Sequence, residues 1–142
     1  MKDLATLLRR AEAGNVAAQA AVGLRYFYGD GTAIDFAEAL RFLSSASARG
    51  ASRATVHLAH IYRRGLGIPG DLDEAIRLYE VASEQGEFVA QIELARIYSS
   101  GAAGTPDLVK AAQRYQRALE QAPRIQACEE LEEARQFLAR AK

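Results

Sequence analysis

The stretch Ala51–Gly86, ASRATVHLAHIYRRGLGIPGDLDEAIRLYEVASEQG, decides the fold. Moved back 36 positions it falls on Asn15–Gly50, and moved forward 36 on Glu87–Ala122, with no gap in either direction. Tyr62 then lies over Tyr26 and Tyr98, Gly65 over Gly29 and Gly101, and Asp71 over Asp35 and Asp107. The first two segments share 11 of 36 residues and the last two 13 of 36, where composition alone would give a few. A fixed period of this length marks stacked supersecondary units, each too small to bury its apolar face alone.

Each segment divides into two helices. Helix A covers roughly Val16–Tyr28, Ser52–Arg64 and Phe88–Ser100, with Ala54, Leu58, Ile61 and Tyr62 at helical spacing. Gly29, Gly65 and Gly101 close these helices, and Gly31 and Gly67 centre the turn that follows. Ala103 holds that place in the third segment, with Gly104 beside it, so the glycine requirement is expected there one residue late. Pro69 and Pro106 stiffen the exits from the turns. Helix B starts at Asp35, Asp71 and Asp107. Asp35 with Glu38 and Asp71 with Glu74 have capping-box spacing, while Lys110 leaves the third helix B with a simple aspartate cap. Alanines recur seven apart on helix B, at 39 and 46, 75 and 82, 111 and 118, which lets helices A and B approach closely. The tyrosines at 26, 62 and 98 are expected to fill the gap between repeats as buried aromatics.

Helices flank the array. Asp3–Ala13 places Leu4, Leu7, Leu8 and Ala11 on one face, with Asp3 as N-cap and Gly14 as stop. It has the look of a second helix whose first helix is missing. Arg124–Lys142 reads as a final helix with Ile125, Cys128, Leu131, Ala134 and Leu138 inward, and Glu129, Glu130, Glu133 and Arg140 on a solvated outer face. The predicted organisation is one domain over residues 1–142: an N-terminal cap helix at 1–14, repeats at 15–50, 51–86 and 87–122, and a C-terminal cap helix at 123–142.

Composition narrows the function. Eighteen basic and eighteen acidic side chains give a formal net charge of zero, which argues against a general nucleic-acid or membrane-surface binder. Cys128 is alone, so no intrachain disulfide forms. The first residues carry Asp3 and lack an apolar run of signal-peptide length, and no stretch approaches the length of a membrane span, so a cytoplasmic protein is expected. His57 and His60, three apart, with Glu93 in the register of His57, are the nearest approach to a metal site, but no third or fourth ligand is evident. The serines fit no nucleophile motif, and the GDG and GLG turns follow helices rather than strands, so they are not phosphate loops. No catalytic residue, metal or cofactor is predicted. A metal-binding or nucleic-acid-binding helical repeat, the latter resting on the arginines with Phe27 and Tyr28, is the alternative class, and self-association is another.

The unit pattern AxxxLAxIYxxGxGxxxDxxxAxxxYxxAxxxG resembles the Sel1-like repeat, a relative of the tetratricopeptide repeat, over Asn15–Ala122. Departures are Ala103 and Ala122 for glycine, and Leu43 where the other repeats have Tyr79 and Tyr115. The cysteine pairs of a secreted branch of that family are missing here. The resemblance implies an all-α, right-handed α-α superhelix serving as a non-enzymatic scaffold or adaptor, often in bacteria, with a partner peptide or helix in a concave groove lined by helix A. Aligning Leu58, Ala59 and Tyr62 with the leucine, small residue and tyrosine of the tetratricopeptide relatives puts Arg53, Val56, His60, Arg63 and Arg64 on that groove. Leu24, Phe27 and Tyr28 join from the first repeat, and Ile92, Arg96 and Ser99 from the third. Arg63, Arg64 and Arg96 are then expected to converge on a carboxylate, and Phe27 and Tyr28 to take a neighbouring apolar side chain. The expected partner is a protein presenting an acidic segment or its C-terminus.

Overall fold

Eight α-helices and no strand occur among the described residues, 3–123 and 128–140, of the computed structural model. They are α1 (Leu4–Glu12), α2 (Val16–Tyr28), α3 (Phe36–Ala48), α4 (Ser52–Arg64), α5 (Leu72–Glu84), α6 (Phe88–Ser100), α7 (Leu108–Gln121) and α8 (Glu129–Arg140). The A helices α2, α4 and α6 begin at 16, 52 and 88, and the B helices α3, α5 and α7 at 36, 72 and 108, so the sequence period is kept to the residue. The first helix is shorter at both ends than the segment Asp3–Ala13. Residues 124–127 and 141–142 of the expected final helix lie outside the described residues.

Local chemistry explains the punctuation. The carboxylates of Asp35, Asp71 and Asp107 accept from the amides of Glu38, Glu74 and Lys110 at 3.1, 3.1 and 3.0 Å. Each such cap is worth about 1 kcal/mol. The glutamates of the expected capping boxes turn toward arginine: Glu38 receives Arg41 at 3.0 Å, and Glu74 receives Arg77 Nε at 3.0 Å. A charge-assisted bond one turn along outweighs the return to the cap amide. The A helices stop on left-handed glycines, Gly29, Gly65 and Gly101, at φ of 72°, 66° and 77°. A Cβ at Gly65 would lie 3.1 Å from the amide nitrogen of Gly70, so the turn folds tightly on itself. In the third turn Gly104, not Ala103, has the positive φ, as the neighbouring glycine suggested. One backbone bond repeats in all three turns: the amides of Asp35, Asp71 and Asp107 donate to the carbonyls of Tyr26, Tyr62 and Tyr98 at 3.0, 2.8 and 2.8 Å.

The chain forms two compact units, Met1–Leu78 and Tyr79–Lys142, divided within α5. In the first unit, Leu7, Ala11, Ala18, Val22 and Phe42 make one apolar cluster. Phe27, Ala39, Leu43, Ala46, Ala54 and Ile61 make a second, with Leu24, Phe36, Leu66 and Ile68 packed on it. Gly23 is what lets α2 lie on α3, since a Cβ there would meet the Leu43 side chain at 2.7 Å. In the second unit Ile92, Ala95, Tyr115, Ala118 and Ala134 form the cluster, with Phe88, Leu119, Phe137 and Leu138 around it.

The tyrosine expectation is corrected here. Tyr26, Tyr62 and Tyr98 are half-buried, whereas the helix-B aromatics Tyr79 and Tyr115 are buried. Tyr26 stacks on Phe42 at 6.3 Å, and Lys110 lies over the Tyr98 ring at 5.4 Å. The recurrence of the A-helix tyrosine coincides with the recurring carbonyl bond at the turn, while its ring lies along the surface as an amphipathic cover.

Candidate partner-binding face and the polar interior of the A helices

Helix A of the second and third repeats is enclosed along most of its length. In α4 residues Ala54 to Ala59 are all buried, followed by Ile61, and in α6 the same holds for Ala90 to Ala95 and Ile97. The groove expectation is therefore corrected at several positions. Val56 and Ile92 are core residues, not groove lining, and Phe27 is buried beneath Tyr28. Val56 and Ile92 fall on covered sides of their helices, while Arg53, His60 and Arg64, at i, i+7 and i+11, form the less buried polar stripe of α4.

Enclosure takes polar residues inside, and each of those below has partners, as a buried polar group requires. Thr55 Oγ1 is 2.7 Å from Ser47 Oγ and donates to the Ala51 carbonyl at 3.2 Å. Gln91 Oε1 accepts from Arg114 at 3.1 Å, and Arg114 also grips Glu80 at 2.6 Å. In the sequence His57 stands out only beside His60, as the nearest approach to a metal ligand. It is instead buried, 7% exposed, with Nδ1 at 2.9 Å from the Arg53 carbonyl and Nε2 at 2.7 Å from the Tyr28 hydroxyl. A carbonyl only accepts, so Nδ1 carries the proton and Nε2 accepts from Tyr28. Among the described residues no three of His, Cys, Asp or Glu gather as metal ligands.

Of the expected site residues, the first unit brings one group together. Tyr28 is 60% exposed, with its ring edge-on to Phe27 at 4.8 Å and to His57 at 5.5 Å. His60, half-buried, stands edge-on to His57 at 5.5 Å. Leu24 is half-buried against the Phe27 cluster, Arg53 and Arg64 are exposed, and Arg63 is half-buried. Tyr28 is thus an exposed aromatic with its hydroxyl anchored and its underside packed. His57 escaped the sequence reading as its support, although the uncharged run Thr55–Ala59 carried the signal that this histidine is interior.

Arg96 has a different position from the one expected. Its Nε and Nη2 bond the Glu133 carboxylate at 2.9 and 2.6 Å, and its Nη1 bonds Glu93 at 2.8 Å. Tyr115 donates its hydroxyl to the same Glu133 at 2.6 Å. Glu133 therefore lies in an internal network rather than on the solvated face assigned to it. The Arg96 bond holds the Glu133 carboxyl below the usual glutamate range, against the pull of desolvation. Burial, then the bond to Glu133, raises the Tyr115 phenol well above its ordinary value. Ser99 is half-buried, its hydroxyl spent on the Arg96 carbonyl at 3.2 Å. The first unit thus holds an exposed aromatic on α2 and exposed arginines on α4, and the second an arginine already answered by two glutamates.

Helical hairpins repeating every 36 residues, capped and stopped in register, define an α-helical repeat protein of the solenoid class. The chain belongs to the Sel1 repeat family, whose repeat matches residues 16–50, 52–87 and 89–123 and whose members generally act as scaffolds for protein–protein interaction. Among solved structures it is similar to a Sel1 repeat protein from Oxalobacter formigenes, 25% identical, TM-score 0.83, over 97% of this chain and 53% of that one. It is also similar in fold to c5321, a protective antigen of uropathogenic Escherichia coli strains displaying an SLR fold, 22% identical, TM-score 0.80, over 97% of this chain and 33% of that one. The chain therefore spans about half and a third of these two proteins. No curated protein is matched. No helix among the described residues is long and apolar enough to cross a membrane.

Proposed function

We propose that this chain is a non-enzymatic adaptor that binds a segment of another protein on the A-helix face of its first unit, with Tyr28 as the anchor. The observation that carries the reading is the exposure of Tyr28 together with its bond to buried His57. An exposed tyrosine with a fixed ring loses little further rotamer freedom when a partner side chain lies on it, and tyrosine and arginine dominate binding hot spots. Arg53 and Arg64, exposed on the same helix α4, supply positive charge toward an acidic segment or a chain terminus. Arg96 is set aside as a reader of the partner because Glu93 and Glu133 already occupy its guanidinium.

The experiment begins with affinity capture from the native source and mass spectrometry, followed by titration of the purified partner. Tyr28→Ala is expected to weaken binding by about 2 kcal/mol, the scale of a hot-spot aromatic. Arg53→Ala with Arg64→Ala should weaken it less, and more at low salt than at high. Full affinity in both variants, with native circular dichroism, would place the partner on another surface.

A further inference from the structure

A cleft of about 520 Å³ lies where α4 turns into α5, in the middle repeat, lined by Tyr62, Ile68, Pro69, Asp71, Leu72 and Asp73. Four of these side chains are aromatic or apolar and two are carboxylates. Asp71 spends one oxygen on the cap bond to the Glu74 amide at 3.1 Å. Asp73 is exposed and makes no hydrogen bond or ion pair among the described residues. Arg77 is close enough to Tyr62 to interact with it electrostatically, but its Nε and Nη2 are committed to Glu74 at 3.0 and 2.5 Å. That ion pair cancels. The N-terminus of α5 adds roughly half a positive charge against two aspartates, so the cleft remains negative.

The third repeat shows what such a place accepts. Tyr98 has the register of Tyr62, and Lys110 sets its ammonium over the Tyr98 ring at 5.4 Å. Lys110 does so from the third residue of α7, beside the same positive helix end and one capping aspartate, Asp107. In the middle repeat Glu74 takes the place of Lys110, and Asp73 that of Val109. The chain thus withdraws its own lysine from this register and puts carboxylates there. The first repeat has no equivalent, since Tyr26 is stacked on Phe42 and Ala37 stands for Asp73. We propose that the cleft binds a lysine side chain of a partner protein. The ammonium would lie between Asp71 and Asp73 against the Tyr62 ring, and the alkyl stem along Ile68, Pro69 and Leu72. Lysine suits the place because its compact charge carries three donors that need no planar alignment of the two carboxylates. The site takes the opposite charge from the Tyr28 face and shares no residue with it, so the two readings stand or fall separately.

Titration of the full chain with the peptide acetyl-Ala-Lys-Ala-amide, followed by nitrogen–proton correlation NMR, tests it. Saturable shifts are expected at the amides of Tyr62, Gly70, Leu72 and Asp73, weakening as salt is raised. The same peptide with norleucine for lysine keeps the stem without the charge and should give no saturable shift. Asp73→Asn should weaken lysine binding about fivefold with an unchanged melting temperature, the scale of one exposed charge pair. Glu74→Lys with Arg77→Gln copies the third repeat, where Lys110 and Gln113 stand, and should abolish binding by filling the cleft from within. Tyr28→Ala should leave it unchanged. The proposal is overturned by a lysine peptide that gives no saturable shift, by an equal response to the norleucine peptide, by Asp73→Asn binding as the wild type does, or by tighter binding of the corresponding arginine peptide.

Discussion

Replacing Tyr115 by alanine is the sharpest probe of how the second unit is held. The side chain is 3% exposed and its ring lies 4.8 Å from that of Phe137, within the cluster of Ile92, Ala95, Ala118 and Ala134. Truncating a buried aromatic of this size costs about 3–5 kcal/mol. Tyr115→Phe removes only the hydroxyl that bonds Glu133. Glu133 keeps Arg96, so this variant should cost about 1 kcal/mol, toward the low end for a bond to a charged acceptor. Tyr98 in the same unit is half-buried beneath Lys110, and Tyr98→Ala should cost about 1 kcal/mol, the scale of an exposed cation–π contact with modest burial. Urea unfolding followed by far-ultraviolet circular dichroism reads all three. With a slope of about 2 kcal/mol/M, Tyr115→Ala should move the midpoint down by about 1.5–2.5 M and the other two by about 0.5 M. A loss at Tyr98 equal to that at Tyr115 would refute the assignment of the core to the helix-B aromatic.

Other outcomes follow from the same packing. Glu133 contributes its full stabilisation above the ordinary carboxylate range and loses it as pH falls through its depressed value, so acid unfolding of wild type should show a loss that Glu133→Gln lacks; parallel acid titrations would contradict this. Gly23→Ala gains about 1 kcal/mol of helix propensity but drives a methyl into Leu43 at 2.7 Å, an overpacking cost of about 1–3 kcal/mol, so the variant should melt lower; a higher melting temperature would mean that Leu43 yields. Asp71→Ala should lower stability by about 1 kcal/mol in urea unfolding, and Asp71→Asn by much less, because asparagine also caps.

The helices were legible because every boundary has a local cause. Aspartate before helix B and glycine after helix A act within a few residues, and the period repeats them three times. Burial was legible for the alanines, whose seven-residue spacing allows only one face. It failed for the tyrosines of helix A because recurrence does not tell a side-chain requirement from a backbone one. It failed for Val56 and Ile92 because the groove positions came from an alignment with relatives, and in this chain those two turn inward. Glu133 looked solvated among its acidic neighbours; its commitment to Arg96, 37 residues away, is a tertiary fact that local pattern cannot hold. His57 lay between these cases, a polar residue within an apolar run that needed its partner Tyr28 in view to be understood.

The carbonyl bond from Tyr26, Tyr62 and Tyr98 to the aspartate nine residues on closes each hairpin with main chain alone. Beyond the shared Gly29, Gly65 and Gly101 the tips diverge, from DGTAI to LGIPG to AAGTP, with a glycine at the second place in the first two and one place later in the third. The hairpin is thus a self-contained module with its own start and stop, in which the exposed letters are replaceable while the bond that shapes them is not. Such a module can be duplicated whole and then diverge at its tip, since no copied side chain has to be matched anew for the turn to form. Three tips with one closing bond and three chemistries are what that history leaves behind, and a designed change of specificity can start from the same letters.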